Sequence, residues 1–229
     1  LEMKKPDSTL ILAKEEHGYV LGLDLCGEIN SRPYRVFPHS ASFKGDLAYY
    51  LIRKAKVESG KKFLVGFAKD GAIGIEAALY TNHVPVRELN RSKNPLLAAI
   101  PETVGPKPEK TIIDLFESTL PTINAIRKNS YIAKVQDHLK VIKCDLDELD
   151  VKYEEKSFDS VLFHLTSKDE DKINELYYQA DYILRQGGLL LFFTRDAWEL
   201  SISSKFKLLE KEKILRGENY SLLWVLQKV

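Results

Sequence analysis

Residues 63–78 read FLVGFAKDGAIGIEAA and carry the strongest indication of the fold. Their first part, FLVG at 63–66, is a short apolar run typical of a strand that is buried on both faces. Gly71 opens the second part, GAIGIEAA, whose small residues are typical of a helix packed closely against a sheet. A buried strand that turns through a glycine into such a helix indicates an α/β domain.

The composition is that of a folded domain. The 229 residues are enough for one sizeable α/β domain with a short extension. Hydrophobic residues make up 44% and charged residues 29%, as in soluble globular proteins. The net charge of +1 gives no overall basic field, so contact with nucleic acid would need a local patch. No apolar run approaches about 18 residues and no signal-peptide pattern occurs, so we expect a cytoplasmic protein with no membrane contact.

Strands and helices alternate along most of the chain. Residues 8–25, STLILAKEEHGYVLGLDL, give two apolar runs around a turn and predict a β-hairpin. A helix is expected next over FKGDLAYYLIRKA, with Ser40 or Ser42 as its N-cap. Further strands are expected at TIIDLF, HLKVIKCDL, FDSVLFHL and GLLLFFT, and further helices at TLPTINAIRKNSYIAKV and KDEDKINELYYQADYIL. The chain ends in two β-rich runs around RGEN, which predict a second hairpin.

This alternation predicts the architecture. We expect a doubly wound, mostly parallel α/β sheet with helices on both faces and a C-terminal antiparallel hairpin. Residues 1–40 are expected to form a β-hairpin extension, and residues 41–229 the α/β domain. Within the latter, the proline-rich stretch 82–110 is expected to be an irregular insertion with a short helix at NPLLAAI.

Several common kinds of site are absent from the sequence. No Cys and His residues have the spacing of a zinc site, so no metal is expected. Cys26 and Cys144 lie far apart in strand-like contexts and are expected to be buried thiols. GAIGIEAA lacks the G-x-G-x-x-G pattern of dinucleotide oxidoreductases, and no G-x-S-x-G motif occurs.

The order of elements, with its closing hairpin, resembles the class I methyltransferase fold, which binds S-adenosylmethionine. More narrowly, the chain resembles the catalytic domain of the RNA methylase family whose members carry an N-terminal THUMP domain. Three stretches carry this resemblance: YVLGLDLCGEINSRPYRVFPHSASFKGDLAYYLIRKA, GAIGIEAALY and NAIRKNSYIAKVQDHLKVIKCDLDEL. The resemblance implies a seven-stranded Rossmann-like sheet, an S-adenosylmethionine cofactor and a tRNA or rRNA substrate. The length leaves no room for a THUMP domain, so we expect a stand-alone form or a fragment.

The turn after the first parallel strand departs from the family pattern, acidic-x-F-x-G-x-G. Phe67 and Gly71 match it, whereas three positions differ. Val65 replaces the acid, Gly66 replaces a usual proline and Lys69 replaces a glycine. Valine cannot accept a hydrogen bond from the cofactor's ammonium, which removes an interaction worth about 1.5–3 kcal/mol. A lysine in a left-handed conformation would add about 1–2 kcal/mol of strain. We therefore expect a damaged cofactor loop.

Two acidic positions match the family better. Asp114, in TIID, corresponds to the carboxylate that binds the ribose hydroxyls, with Glu117 as the neighbouring alternative. Asp145, in KCDLDEL, corresponds to the acid placed against the adenine amine. Aspartate at the end of a strand is also common as a turn or helix cap, and that structural role stays open for both.

The catalytic motif of the family should follow the fourth parallel strand. It consists of an Asn or Asp, two prolines and an aromatic residue, which bind and stack on the target base. Here the four positions hold His164, Leu165, Thr166 and Ser167. His164 is the one catalytic candidate, as a hydrogen-bond acceptor or a base. A histidine at the end of a buried strand is more often a structural residue.

RNA contact is expected through a basic patch formed by Arg87, Arg91, Lys93, Arg127 and Lys128. A solvated charged face is the simpler alternative.

Three hypotheses for the function remain. The first is a methyltransferase-fold protein that has lost methyl transfer and binds RNA, an active methyltransferase or another protein as a scaffold. The second is an active S-adenosylmethionine-dependent RNA methyltransferase with an unorthodox site around His164. The third is a divergent Rossmann-like enzyme that uses another nucleotide. The first is favoured because the cofactor and catalytic motifs are both degraded while the hydrophobic scaffold is intact.

Overall fold

The protein is described by a computed structural model, over residues 9–24, 30–86, 108–194, 199–216 and 219–229. The strands in this part of the chain are β1 (Thr9–Glu15), β2 (Gly18–Asp24), β3 (Phe63–Gly66), β4 (Ile113–Glu117), β5 (Leu139–Lys143), β6 (Phe158–Leu165), β7 (Leu184–Thr194), β8 (Phe206–Arg216) and β9 (Asn219–Lys228). The α-helices are α1 (Gly45–Lys54), α2 (Ala72–Thr81), α3 (Leu120–Ile132), α4 (Leu149–Lys152) and α5 (Glu170–Ile183). Short 3-10 turns cover Gln136–His138 and Leu146–Glu148.

Seven strands form one sheet in the order β5-β4-β3-β6-β7-β9-β8. The first five of these are parallel, and β9 pairs antiparallel with both β7 and β8. This confirms the predicted doubly wound, mostly parallel sheet with a C-terminal antiparallel hairpin. β1 and β2 form a separate two-stranded antiparallel sheet, which confirms the predicted N-terminal hairpin.

The sheet has a hydrophobic core on each face. Alternate residues of β3 divide between the two cores, because successive side chains of a strand point to opposite faces. Val65 packs with the helices α1, α2 and α3, and Leu64 packs on the other face with α5. The strands read as continuous apolar runs because helices cover both faces.

Helix α1 begins later than its expected cap. Lys44 is its N-cap and provides no side-chain hydrogen bond, so the prediction of Ser40 or Ser42 as the cap was wrong. The Ser42 hydroxyl donates to the carboxylate of Asp70 instead. The buried carboxylate is the stronger acceptor, and it draws Ser42 toward the start of α2.

The predicted division into residues 1–40 and 41–229 stays a prediction. The side chains of β1 and β2 are exposed in most positions, whereas the segment after them packs on α2, and its Tyr34 is only 4% exposed. Among the described residues, no helix has the length and apolar character to cross a membrane. The short helix at NPLLAAI and Cys26 lie outside the described residues, while Cys144 is buried as predicted.

Candidate functional site

The candidate site lies where β3, β4 and β6 end side by side. The three strands are parallel neighbours, and Gly66 at the end of β3 is aligned with Phe116 and Phe163. Ligands of open α/β sheets bind at the carboxyl ends of such strands. Residues 67–71, which connect β3 to α2, therefore form the centre of the site.

This loop has a strained backbone. Phe67, Lys69 and Gly71 have φ angles of 55°, 57° and 85°, all in the left-handed region. Gly71 requires a glycine, since an added Cβ would lie 3.0 Å from Ile126 Cγ2. Lys69 adopts the conformation that costs a non-glycine residue about 1–2 kcal/mol. A lysine therefore occupies a backbone position that favours glycine.

Lys69 is bound to Glu117 at the end of β4. Its backbone N–H donates to Glu117 Oε1 over 2.7 Å, and its Nζ lies 3.8 Å from the same oxygen. The Glu117 carboxylate is buried, with 4% of the residue exposed. The amines of Lys69 and Lys172 lie 5.8 and 4.6 Å from the centre of the Phe67 ring. The site thus combines two amines, one aromatic ring and one buried carboxylate.

Aromatic rings pack around Gly66 at the end of β3. Phe67 lies 5.4 Å from Phe116 and 6.2 Å from Phe163 between ring centroids. An added Cβ on Gly66 would lie 2.4 Å from the Phe163 ring and 2.6 Å from the Phe116 ring. Gly66 thus makes room for both rings. Val65, at the acidic position of the family pattern, is 1% exposed within the core.

The structure separates the two candidate carboxylates of β4. Asp114 is the second residue of the strand, opposite Leu64 and Lys140, and lies three residues before Glu117. Its Oδ1 is 3.5 Å from the Nζ of Lys140. Burial raises the pKa of Asp114, and the charge of Lys140 opposes this effect. Glu117, the alternative candidate, is the carboxylate that contacts the loop.

Asp145 caps the short turn after β5. Its side chain accepts from the backbone of Glu148, and the Glu148 carboxylate accepts from the N–H of Asp145 over 3.5 Å, forming a capping box. The N–H of Cys144 donates to the carbonyl of Glu117 over 3.1 Å, which joins this turn to the end of β4. Asp145 is the residue that follows Cys144. Burial raises the pKa of the Cys144 thiol to about 11. The assignment of Asp145 to an adenine amine stays a prediction.

His164 lies within an aromatic cluster. Only 4% of the residue is exposed, and its ring centroid is 4.6 Å from that of Phe43 and 6.1 Å from that of Phe193. Both phenylalanines belong to the core beneath α1 and α2. Ser167 is exposed, and its hydroxyl accepts from the N–H of Asp169 in the turn before α5. The structure therefore does not bring His164 to the surface of the site, and its catalytic role stays a prediction.

Sequence reasoning missed two buried carboxylates at the head of α2. Asp70 is 0% exposed and accepts hydrogen bonds from Arg35 at 3.1 Å and from Ser42. Glu76 accepts from Arg32 and from the Tyr34 hydroxyl, both over 2.6 Å. Two features of the sequence indicated these carboxylate contacts. They are the single acid within the apolar helix GAIGIEAA and the two arginines of RPYR. These bonds fix residues 32–42 across the start of α2.

Asn129 of α3 joins the same segment to the loop. Its side chain accepts from the Phe37 N–H and donates to the carbonyls of Phe37 and Asp70, each over 3.0 Å. It is 0% exposed, so these bonds are shielded from water. Arg127 and Lys128 of the predicted basic patch directly precede Asn129 on α3, whereas Arg87, Arg91 and Lys93 lie outside the described residues.

Two of the surface cavities in the described part of the chain, of about 350 and 380 Å³, lie away from the strand ends. Neither is lined by residues 65–71, Glu117, Asp145 or His164. Within the described ranges, no three His, Cys, Asp or Glu side chains are placed to hold a metal ion.

Solved structures share the fold of the chain. TrmN from Thermus thermophilus matches 100% of it at 18% identity with a TM-score of 0.69, over 62% of the TrmN chain. A possible methylase from Clostridium difficile 630 matches 97% of it at 16% identity with a TM-score of 0.68, over 62% of that chain. SMU.472, solved complexed with SAH, matches 95% at 15% identity with a TM-score of 0.64, over 61% of its chain. The chain thus spans less than two thirds of each of these structures.

No curated protein matches the chain. A family model does: UPF0020, described as RMKL-like, methyltransferase domain, matches residues 32–185. This range includes the segment at the head of α2, the loop after β3 and the strand ends that form the candidate site. The chain belongs to this RMKL-like methyltransferase-domain family.

Proposed function

We propose that this chain is a relative of RNA methyltransferases that no longer transfers methyl groups and acts by binding a partner. The observation that carries the proposal is Lys69, a lysine at a φ of 57° bound to the buried Glu117. Its backbone and its amine both engage the carboxylate that lies nearest the cofactor loop. The proposed partner is a tRNA or rRNA, or a protein that acts on one, in the cytoplasm.

The residues of the loop do not fit S-adenosylmethionine in the way that the family pattern implies. The cofactor's ammonium needs an acceptor, and Val65 offers none, which removes about 1.5–3 kcal/mol of binding. Oε1 of Glu117 already accepts a 2.7 Å hydrogen bond from Lys69, which leaves fewer of its acceptor sites for the hydroxyls of a ribose. The amines of Lys69 and Lys172, beside the Phe67 ring, add positive charge at the loop, and this charge disfavours a cationic sulfonium.

The catalytic position supports the same proposal. Methylation of a base amine requires acceptors aimed at its hydrogens, and the ring of His164 packs against Phe43 and Phe193 instead. Thr166 and Ser167 are exposed, without the rigid prolines and the stacking ring of the family motif.

An active RNA methyltransferase is the second candidate, because one observation favours it. Glu117 lies at the carboxyl end of β4, where a carboxylate can reach the ribose of a bound nucleoside. Movement of the Lys69 side chain, which is 21% exposed, would take its amine away from this carboxylate, while the backbone hydrogen bond of Lys69 remained.

Calorimetric titration of the folded protein with S-adenosylmethionine and S-adenosylhomocysteine separates the two candidates. We expect no binding heat at millimolar ligand, because the ammonium acceptor is absent and Glu117 is engaged. A cooperative thermal transition of the same sample shows that the protein is folded.

Two variants test whether any binding observed in the titration depends on Glu117. Micromolar binding that Glu117→Gln weakens at least tenfold, while Asp114→Asn does not, would overturn the proposal and support the active enzyme. Asp114 is the matched control because it is a buried carboxylate of the same strand that lies away from the loop.

A further inference from the structure

A surface beside the candidate site combines aromatic rings with basic groups. Arg127, Lys128, Tyr131 and Ile132 lie on one face of α3, since residues three and four apart are neighbours on a helix. Together with Phe37 they line a shallow cavity of about 350 Å³. We call these five residues the α3 surface.

Three apolar or aromatic side chains of the α3 surface are exposed to solvent. Tyr131 is 71% exposed, Ile132 40% and Phe37 38%. The Nζ of Lys128 lies 4.6 Å from the centre of the Phe37 ring. No acidic side chain lines the cavity, so the charges of Arg127 and Lys128 are not neutralised within it. An exposed apolar patch beside like charges is typical of a binding site.

The α3 surface is also fixed in place. Asn129, on the buried side of α3, binds both the N–H and the carbonyl of Phe37 over 3.0 Å. Its amide also donates to the carbonyl of Asp70, in the loop after β3. The backbone of Phe37 is therefore held against α3 in the absence of any partner. A preformed surface loses less conformational entropy on binding than a flexible one.

Flat rings beside cations match the chemistry of unpaired nucleotides. Every base presents a face that stacks on an aromatic side chain, and every phosphate attracts an Arg or Lys. Paired bases of a duplex do not offer their faces to Phe37 or Tyr131. An acidic peptide would use Arg127 and Lys128 but has no general need for two exposed rings.

We propose that the α3 surface binds a single strand of RNA, with bases stacked on Phe37 and Tyr131 and phosphates held by Arg127 and Lys128. This proposal rests on the proposed function, because it names the partner that a chain acting by binding would hold. RNA is chosen over DNA because the proposed function relates the chain to RNA methyltransferases.

Fluorescence anisotropy of the full chain with a labelled oligouridylate of about 12 nucleotides tests the proposal. Tyr131→Ala is expected to weaken binding at least fivefold through lost stacking, and Tyr131→Phe to retain it. The double variant Arg127→Gln, Lys128→Gln is expected to reduce the slope of log K against log salt by about 1.4, for two lost phosphate contacts.

The controls are matched in residue type and exposure. Tyr178→Ala removes a tyrosine of α5 that is 53% exposed, and Lys207→Gln removes an exposed lysine of β8, at the opposite edge of the sheet from β5. Neither should change the affinity more than twofold. Thermal unfolding of each variant verifies that it is folded, which we expect because Tyr131, Arg127 and Lys128 are exposed.

The outcomes separate this proposal from the proposed function. No oligouridylate binding, or equal losses in the α3 and control variants, would overturn the α3 surface as an RNA site. Equal binding of an oligothymidylate would overturn the choice of RNA. Micromolar binding of S-adenosylmethionine to the same samples would overturn the proposed function alone, and the RNA site would stand if Tyr131→Ala still weakened binding.

Discussion

Asp114 and Glu117 show how three residues along one strand separate two chemical environments. Glu117 ends β4 and accepts from the Lys69 N–H in the loop. Asp114 lies within the sheet, where its carboxylate is buried and a half-exposed Lys140 is 3.5 Å away. The cost of removing this carboxylate from water exceeds the attraction of the lysine, which is why its pKa is raised.

Asp114→Asn is therefore expected to gain stability relative to the wild type as pH rises. The unfolded chain loses the Asp114 proton near the ordinary pKa of about 3.9, before the folded protein does, so ionisation favours the unfolded state above that pH. Asparagine does not ionise. Urea denaturation between pH 3.5 and pH 7 measures the difference, with Asp137→Asn at an exposed position as the control. A variant advantage that shrinks with rising pH would contradict the raised pKa.

Among the elements, three helices end in the same way. Lys56, His83 and Lys134 follow α1, α2 and α3 at φ angles of 51°, 53° and 58°. In each case the backbone N–H groups of this residue and of the valine after it bond back to the last turn of the helix. These bonds form a Schellman motif, in which glycine is the usual left-handed residue. Three helices thus end at a left-handed position that is occupied by a side chain other than glycine.

Lys56→Gly is expected to stabilise the protein by up to about 1 kcal/mol. Glycine removes the left-handed strain of about 1–2 kcal/mol, and part of this gain is offset by the greater freedom of glycine in the unfolded chain. Chemical denaturation measures the change. Lys56→Ala is the matched control, because it removes the amine and keeps the Cβ, so it should give no such gain. Equal stabilities of the two variants would show that the strain is absent.

Across the whole molecule, the first described residues divide into two parts with different roles. Leu10, Leu12 and Leu21 of the N-terminal hairpin are each at least 67% exposed. Residues 32–42, in contrast, supply the partners of the buried Asp70 and Glu76. The segment that follows the hairpin is thus part of the folding unit of the sheet.

Deletion of residues 1–24 is expected to change the unfolding free energy by less than about 0.5 kcal/mol, since the side chains of the described residues that it removes, 9–24, are mostly exposed. Deletion of residues 1–40 removes Arg32, Tyr34 and Arg35 and leaves two buried carboxylates without these partners. Such a loss costs about 3–5 kcal/mol for a buried ion pair. Urea denaturation of the two shortened chains measures the contrast. Similar stabilities would place the domain boundary at residue 40, as the sequence predicts.

The sheet and its helices could be predicted because their signals repeat. Each central strand carries an apolar run long enough to be recognised alone, as in FDSVLFHL and FLVG. The family resemblance added the number of strands in the sheet. No single residue had to be placed correctly for the fold class to be right.

The site could be predicted only in outline, because it depends on which residue of a strand or loop faces which neighbour. Ser42 had the right chemistry for a helix cap, yet the buried Asp70 attracts its hydroxyl. Asp114 and Glu117 are three positions apart, and only the end of the strand reaches the loop. Asp70 and Asn129 bond to residues more than 30 positions away in sequence, which no local pattern records.

The crowded environment of Gly66 restricts which residues can replace it. A side chain at this position would collide with the rings of Phe116 and Phe163, at 2.6 and 2.4 Å from its Cβ. The proline that is usual in the family pattern cannot return while both rings remain. Reversion would need smaller residues at 116 and 163 first, and each of these steps would leave a hole in the core before bringing any benefit. A side chain at position 66 is therefore not reached by a single neutral substitution.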